Sequence, residues 1–425
     1  MAIRFILITL FVCTLSNLAK AQLGVDATLS AIKFEGNKKS NLSYLYKNII
    51  CEVNHAVSDS LIKADVQRLN NLSGIGNATY RIDTVGRSQI LVFQLEEVRT
   101  LIPILNLGRI TDNLFFQVGF ADINWKGKGQ VLSVSYLNND NRHSGNIFFK
   151  NPHINNSSWG FSASLSTWSS EEPLFFPEGT VFYEYGNDGV GLTGIYHINR
   201  YSNIEFGGTY FVENYERGEL FSEITFGPDQ LTQPKALSKL AYTVSHVNYD
   251  RFYLDGRSTF IQYQNVFNTL DNSWFHIIQA QIHSYWKHGK KGNFANRLNL
   301  GLATNSDSPF APFVADSHVN IRGIGNRIDR GTAQVILNSE YRHTLYYKKR
   351  TAAVQGVIFS DIGTWRNPGG TLSQLIDLSE VRIFAGVGLR FIYPKIHGAV
   401  LRIDYSVELN ESKTRGLVVG LGQYF

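Results

Sequence analysis

Two carboxylates on neighbouring predicted strands are the residues whose types and spacing best suggest a charged site. Glu340 shares one face of its segment with Gln334 and Asn338, because residues two positions apart point to the same side of a strand. Asp361 lies on the inward face of the next predicted strand. Two carboxylates that point inward from adjacent strands suit a guanidinium, whose fork of N–H groups can donate to both.

A glycine-flanked arginine, Arg322, stands in the loop before these strands. The loop segment 320–325 has the sequence NIRGIG. Gly323 and Gly325 permit a tight loop tip, because glycine adopts backbone angles that other residues avoid. In the alternative interpretation, Arg322, Glu340 and Asp361 are unrelated polar residues in a water-filled interior.

Motifs for other chemistries are absent from the sequence or lack their structural context. The segment 189–194, GVGLTG, fits the G-x-G-x-x-G pattern, but no helical pattern follows it, so it does not predict a dinucleotide site. The 11 histidines are scattered, and no H-E-x-x-H or G-x-S-x-G motif occurs. The net charge of +5 comes from dispersed Lys and Arg. The sequence therefore predicts no enzyme, no cofactor, no metal site and no nucleic-acid partner.

Residues 1–21 have the pattern of a secretory signal peptide. Arg4 supplies a basic start, Phe5–Leu15 is apolar, and residues 19–21 (AKA) form an A-x-A cleavage site. The apolar stretch is too short to span a bilayer as a helix. Cys13 could instead mark a lipoprotein, but the two residues before it are too bulky for lipoprotein processing. We therefore expect an exported chain that begins near Gln22.

Composition indicates that this exported chain crosses a membrane as strands. After the signal, no apolar run approaches the roughly 20 residues that a membrane helix needs. Aromatic residues make up 13% of the chain, with 21 Tyr and 28 Phe, as in the aromatic girdles of outer-membrane barrels. A large secreted β-sandwich could share this composition. Cys51, the cysteine that remains after the signal, cannot form an internal disulfide and is predicted to be buried in a helix.

Residues 22–98 form a predicted small α+β domain with the element order β-α-α-β-β. Apolar periodicity, turn residues and helix caps place its elements at Ala31–Glu35, Asn41–Ile50, Ser58–Leu69, Ala78–Ile82 and Gln89–Leu95. Ser40 is the predicted N-cap of the first helix. Residues 99–112 are interpreted as a linker.

From Asn113 to Phe425 the sequence consists of long alternating segments that polar turns separate. Leu401–Leu409 is the clearest, with apolar residues on one face and charged or polar residues on the other. The segments predict a mostly-β fold, an antiparallel transmembrane barrel of about 16 strands. The predicted strands start near Asn113, Gly129, His143, Ser158, Gly179, Gly189, Asn203, Ala236, Ser258, Trp274, Phe294, Thr332, Ala352, Val381, Gly398 and Arg415.

The connections fall into a short and a long class, as they do at the two ends of an outer-membrane barrel. Mostly short connections are predicted at the end that carries the N-terminal domain: Asn139–Arg142, Asn199–Ser202, Lys287–Gly292, Lys348–Arg350 and Pro394–His397. The longest are predicted at the opposite, extracellular end: Asn214–Lys235, Ser306–Gly331 and Trp365–Glu380.

Two parts of the chain resemble known families. The element order of residues 22–98, with FEGN at 34–37 and LSGI at 72–75, resembles a single POTRA domain, a module of outer-membrane assembly proteins. NIRGIG, NSEYR at 338–342 and FSDIG at 359–363 resemble the BamA/TamA superfamily of outer-membrane insertases and translocators. The resemblance implies a lumenal loop anchor in which Arg322 and Gly323 fold back into the barrel and Arg322 meets Glu340 and Asp361.

The resemblance implies an outer-membrane biogenesis factor with its N-terminal domain in the periplasm. The barrel would assist insertion or translocation of polypeptides by opening laterally between its first strand, Asn113–Trp125, and its last, Arg415–Phe425. Partners would be unfolded outer-membrane or secreted polypeptides, outer-membrane lipid, and periplasmic or lipoprotein subunits. Phe425, at the end of the last strand, resembles a C-terminal sorting signal. A passive channel or porin, and a secretion or lipid-export barrel that uses the lumen, remain alternatives.

The sequence departs from the superfamily pattern within and after the arginine loop. Ile324 stands where an aromatic residue is usual, and Arg330 stands where a second glycine before Gly331 is common. We therefore expect the loop to be anchored more weakly in the lumen, or packed differently.

Overall fold

The structure, a computed structural model, describes residues 27–85, 88–110, 113–139, 142–176, 178–218, 223–325, 329–349, 351–410 and 414–425. The predicted signal peptide lies outside these residues. No helix in the described part of the chain is long and apolar enough to cross a membrane.

The N-terminal unit is a small sheet with two helices. Its elements are β1 (Ala27–Glu35), α1 (Leu42–Lys47), β2 (Ala56–Val57), α2 (Asp59–Asn70), β3 (Ile75–Val85) and β4 (Ser88–Glu97). The strand order is β2-β1-β4-β3, with β1 parallel to β4. Leu45 of α1 and Leu69 of α2 are fully buried in one core with Leu91 and Phe93 of β4. The predicted order of elements is observed, with the two-residue β2 added to it.

The first helix is shorter than its apolar pattern predicted. Asn41, rather than Ser40, caps α1 by accepting the Ser43 N–H at 2.9 Å. The buried Asp65 carboxylate accepts the N–H groups of Ile50 and Cys51, which holds this segment outside any helix. Cys51 is therefore buried as predicted, but in a loop and not in a helix.

Sixteen long antiparallel strands form one closed barrel. They are β5 (Leu101–Ile110), β6 (Asn113–Trp125), β7 (Gln130–Asn139), β8 (Arg142–Asn151), β9 (Trp159–Phe176), β10 (Gly179–His197), β11 (Ser202–Arg217), β12 (Gln230–Ser245), β14 (Tyr253–Asn268), β15 (Ser273–His288), β16 (Gly292–Ala303), β19 (Ala333–Lys348), β20 (Ala352–Arg366), β21 (Arg382–Ile392), β22 (Val400–Glu408) and β23 (Arg415–Leu421). Three short strands accompany them: β13 (Asn248–Asp250), β17 (Phe313–Ala315) and β18 (Asp329–Gly331).

The barrel begins earlier in the chain than predicted. Most of the segment interpreted as a linker is β5, which pairs with β6 and closes the barrel against β23. Leu101–Leu105 carries apolar residues on both faces and includes Pro103, so its sequence lacks the alternation that marks the other strands. Conversely, the strands predicted from Gly179 and Gly189 are one continuous strand, β10. The two errors cancel, and the predicted number of strands is confirmed.

The outer face of the barrel is an apolar band. Leu192, Leu240 and Ile358 are each more than half exposed, whereas the alternating inward residues Thr193 and Asp361 are buried. A continuous exposed apolar band is unfavourable in water and matches the hydrocarbon layer that surrounds outer-membrane barrels.

The N-terminal unit docks on the end of the barrel that has the short turns. The Asn41 N–H donates to the Gly127 carbonyl at 2.9 Å, and the Lys47 ammonium donates to the Asn156 carbonyl at 2.7 Å. On another part of the rim, the Gln67 side-chain amide donates to the Tyr249 carbonyl at 3.0 Å. These contacts hold the unit across the barrel mouth.

One predicted turn lies at the wrong end. The β6–β7 connection at Gly127 contacts the N-terminal unit. Asn139 and Arg142, where β7 ends and β8 begins, therefore lie at the opposite end with the long loops. Because β5 was missed, successive connections were assigned to the wrong ends of the barrel from β6 onward. The strand start wrongly predicted at Gly189, inside β10, restored the correct assignment. The other four predicted turns lie at the end that contacts the N-terminal unit.

Candidate functional site

The connection between β16 and β19, which we term the lumenal loop, folds into the barrel in its described residues, 304–325 and 329–332. At its tip, the Ser317 N–H donates to the Gly325 carbonyl at 2.7 Å, and the Gly325 N–H donates to the Ser317 hydroxyl at 2.8 Å. These bonds close a compact turn in which Ile321 and Ile324 are buried. Ile324 packs in the cluster that contains Trp365 and Phe384 of the wall. An aliphatic side chain therefore makes apolar contacts with the wall at the position where the superfamily usually has an aromatic residue.

Arg322 occupies the centre of the site. Its Nε and Nη2 donate to the two oxygens of Asp361, each at 2.8 Å, and its Nη1 donates to Glu340 Oε2 at 2.6 Å. The Arg322 backbone N–H also donates to Asp361, at 3.0 Å. All three side chains are fully buried. The guanidinium therefore holds one carboxylate in a bidentate fork and a second with its remaining arm.

Strand register explains why the two carboxylates converge. Asn338 of β19 is paired with Asp361 of β20, and Glu340 is paired with Phe359. All four side chains therefore point inward at neighbouring positions. The Asn338 amide donates to Asp361 at 2.8 Å, and the Phe359 ring centre lies 3.5 Å from the Arg322 guanidinium carbon. Asn338 and Phe359 were not among the predicted site residues.

Gly323 is required by both backbone conformation and space. Its φ is +87°, a region that side chains rarely adopt, and a Cβ at this position would lie 2.0 Å from the Ser406 hydroxyl oxygen. The Ser406 hydroxyl donates to the Arg322 carbonyl at 2.6 Å, which holds the loop tip against β22. The structure thus brings together all four residues predicted for the anchor.

Further charged residues extend the site around Glu340. Arg342 Nε donates to Glu340 Oε1 at 2.5 Å, and Arg390 Nη1 donates to Asp404 Oδ1 at 2.6 Å. Asp404 also lies 3.9 Å from Arg322. Asp404 had been recognised only as part of the polar face of its strand, because nothing local to Leu401–Leu409 indicates a partner across the lumen.

A second ion pair fixes the base of the lumenal loop to the far wall. Arg330 of β18 donates to Glu172 of β9 and to the Ala311 carbonyl, the latter at 3.3 Å, and both charged side chains are buried. A cavity of about 500 Å³ lies between this part of the loop and the wall formed by β9 to β15. Arg330, which departs from the superfamily pattern, therefore forms a buried ion pair with Glu172 that was not predicted from the sequence.

The predicted position of Phe425 is wrong. The last strand ends at Leu421, and Phe425 lies inside the barrel, where its ring centre is 6.3 Å from that of His283. Gly422, with a φ of +84°, changes the direction of the chain after the strand. Phe425 thus lies in the lumen and is not the last residue of a strand.

Comparison with a family model identifies this architecture. Residues 124–425 match the Omp85 superfamily domain. The chain belongs to the Omp85 superfamily. It is an outer-membrane β-barrel, and its fold is that of the superfamily's membrane insertases and translocators. No curated protein sequence matches it significantly.

Solved structures of Omp85-type barrels share the fold at low sequence identity. BamA from Haemophilus ducreyi, in a form lacking POTRA domains 1–3, is 15% identical with a TM-score of 0.56, and the match covers 93% of this chain and 84% of that one. CdiB from Acinetobacter baumannii is 13% identical with a TM-score of 0.59, covering 93% and 74%. CdiB from Escherichia coli is 10% identical with a TM-score of 0.57, covering 93% and 75%.

Proposed function

We propose that this Omp85-superfamily protein assists the insertion of polypeptides into the outer membrane, or their translocation across it, by opening between β5 and β23. The observation that carries the proposal is the buried contact of Arg322 with Glu340 and Asp361, which holds the lumenal loop inside the barrel. A loop fixed in the lumen obstructs a central pore and leaves the strand junction as the route toward lipid.

The last strand supports a junction that opens. β23 has seven residues, fewer than any other of the sixteen long strands, and it includes Gly416 and Gly420. Glycine in a strand interior weakens pairing, because it adds backbone entropy and no side-chain packing. We place the partner strand at β5, in place of the predicted first strand, Asn113–Trp125.

The N-terminal unit, which we assign to the periplasm as a POTRA-like domain, offers a sheet edge to clients. β3 is at the edge of the sheet order, and its residues Ile82 and Val85 are exposed. An extended segment of an unfolded outer-membrane or secreted polypeptide could add to this edge as a further strand. Docked on the barrel rim, the unit would bring such a segment close to the junction. Periplasmic or lipoprotein subunits are the further partners that we propose.

A disulfide staple across the junction tests lateral opening. Cysteine pairs would combine an outward residue of β5, Leu101 or Leu105, with an outward residue of β23, Leu417 or Leu421. Cells would lack the native copy, and outer-membrane protein levels would be measured before and after reduction. We expect biogenesis to fail when the staple is oxidised and to recover when it is reduced.

A second staple provides the matched control. Val387 and Tyr405 are paired, outward-facing residues of the adjacent strands β21 and β22. A disulfide there should not affect biogenesis. If barrels stapled at the junction work as well as reduced ones, lateral opening is wrong. Solute uptake that survives the staple in cells with normal biogenesis would favour a passive channel or a barrel that exports through its lumen.

A further inference from the structure

The segment after β23, residues 423–425, lies inside the barrel beneath the lumenal loop. The Gly422 N–H donates to the Val400 carbonyl at 2.7 Å, and the chain then turns inward. Tyr424 is buried, with 6% of its surface exposed. The residues that follow the last strand of the junction thus contact the same site as Arg322.

Tyr424 is surrounded by guanidinium groups. Its ring centre lies 4.3 Å from the Arg322 guanidinium carbon, 4.8 Å from that of Arg402 and 5.3 Å from that of Arg297. Its hydroxyl donates to the Ser317 carbonyl at 3.1 Å. The ring therefore contacts the anchoring arginine, and the hydroxyl contacts the turn that closes the loop tip.

The flanking residues hold Tyr424 in this position. Arg402 Nη1 donates to the Gln423 carbonyl at 3.2 Å, and Arg342 Nη2 donates to a main-chain oxygen of Phe425 at 2.8 Å. Both arginines belong to the barrel wall, on β22 and β19. The segment is consequently bound on either side of the tyrosine.

Charge balance gives the ring a physical role. Among the described residues, the site contains three carboxylates, Glu340, Asp361 and Asp404, which pair with Arg322, Arg342 and Arg390. Two further arginines, Arg297 and Arg402, contact the Tyr424 ring. Within the described part of the chain, Arg402 Nε is buried without a hydrogen-bond acceptor. The negative face of an aromatic ring stabilises such cations where water is excluded.

We propose that Tyr424 is a positioning residue that couples the junction to the lumenal loop. It follows the end of β23 by three residues, so displacement of β23 from β5 withdraws the ring from Arg322 and Ser317. Cation–π attraction is significant only within about 6 Å of the ring centre, so withdrawal weakens the loop's attachment. By linkage, a loop that is already released favours opening of the junction to the same extent. This inference rests on the lateral opening proposed above.

The test measures the reactivity of a cysteine in the loop with the junction free or stapled. Ile324 is at the loop tip and is buried, with 4% of its surface exposed, so Ile324→Cys in the full-length barrel reports loop release through its rate of alkylation. In the otherwise unchanged protein, oxidising the β5–β23 staple should lower that rate, because the junction can no longer withdraw Tyr424. Tyr424→Ala should raise the rate roughly ten-fold and abolish its dependence on the staple.

Further variants separate coupling from folding. Tyr424→Phe keeps the ring and should retain the staple dependence, whereas Tyr424→Leu keeps bulk without the ring face and should lose it. Tyr405→Ala removes an outward-facing tyrosine of β22 and serves as the matched control. Each variant must first show the folded gel mobility, and Tyr424→Leu replaces Tyr424→Ala if the latter does not fold.

The outcomes distinguish this inference from the proposed function. An alkylation rate that the staple does not change, or a staple effect that persists in Tyr424→Ala and Tyr424→Leu, overturns the coupling. Neither result changes the outcome expected in the biogenesis assay. If the staple leaves biogenesis intact, the lateral-opening proposal fails, and the inference that rests on it fails for that separate reason.

Discussion

At the scale of single residues, we expect the lumenal loop to depend on Arg322. Arg322→Ala would leave Glu340 and Asp361 buried without their cation, at a cost of about 3–5 kcal/mol for a broken buried pair. We expect a lower temperature of conversion from folded to unfolded gel mobility. Arg322→Lys should recover only part of the loss, because one ammonium cannot reproduce the fork on Asp361. Arg200→Ala, at an exposed turn, is the control, and equal conversion temperatures for both alanine variants would contradict the anchor.

Gly323 gives a second residue-scale prediction with a matched control. Gly323→Ala introduces a Cβ at 2.0 Å from the Ser406 hydroxyl, in addition to the strain of a φ of +87°. Gly369, in the loop after β20, has a φ of +76°, and a Cβ at this position would have no heavy atom within 4 Å. Gly369→Ala therefore reports backbone strain alone. We expect Gly323→Ala to lower the conversion temperature by clearly more, and similar effects of both would show that the contact with β22 is unimportant.

At the scale of elements, a carboxylate of β4 organises the loop that leads into α1. Glu97 accepts the N–H groups of Lys38, Lys39 and Ser40 at 2.8–2.9 Å. Burial raises the pKa of Glu97, but these hydrogen bonds and one from the Ser40 side chain outweigh it, and the pKa is lowered overall. Glu97 thus stabilises the fold above its unfolded pKa of about 4.3, and this contribution is lost as the pH falls through the lower folded value.

Acid unfolding of the N-terminal unit tests this contribution. The unit has its own core, so we expect the segment 27–98, produced alone, to unfold cooperatively. Its melting temperature should fall between about pH 5 and pH 3, and Glu97→Gln should be less stable at neutral pH with a smaller change over that range. Glu52→Gln, at an exposed position of the same unit, is the control. An unchanged acid profile in Glu97→Gln would assign no role to the carboxylate.

The lumenal loop gives a further element-scale prediction, because Arg330 attaches its base to β9. Arg330→Ala would release this end of the loop while the tip stays bound at Arg322, and Glu172 would lose a buried cation. We expect higher ion conductance in planar bilayers. Lys239→Ala removes a cation on β12 and measures the effect of lumenal charge alone. Conductance that rises no more in Arg330→Ala than in this control would contradict a sealing role.

At the scale of the whole molecule, the closed barrel and its apolar outer band predict how the protein behaves in cells and on gels. It should fractionate with the outer membrane, because the exposed band requires lipid. Unheated samples should migrate faster than boiled ones, because a closed barrel of sixteen strands has no edge from which unfolding can readily begin. Recovery as a soluble periplasmic protein would contradict both expectations.

Much of the barrel could be predicted from the sequence because outward apolar and inward polar residues alternate along a strand. This alternation has a period of two residues and is therefore visible within each strand. Leu401–Leu409 shows this, since its apolar residues face outward and its polar residues face the lumen. β5 was missed because Leu101–Leu105 is apolar on both faces. Gly189 was mistaken for a strand start because glycine is locally ambiguous between a turn and a strand interior.

The sequence by itself determined the β-barrel class, the small α+β unit before it and the four residues that meet around Arg322, because periodicity and short motifs are local properties. Only the tertiary structure decided the contacts that join distant parts of the chain. Arg330 and Glu172 are 158 positions apart, and Tyr424 lies 107 positions after Ser317. Such pairs become neighbours only when the barrel closes and the loop and the last residues fold into the same lumen, and no local pattern of residues encodes that closure.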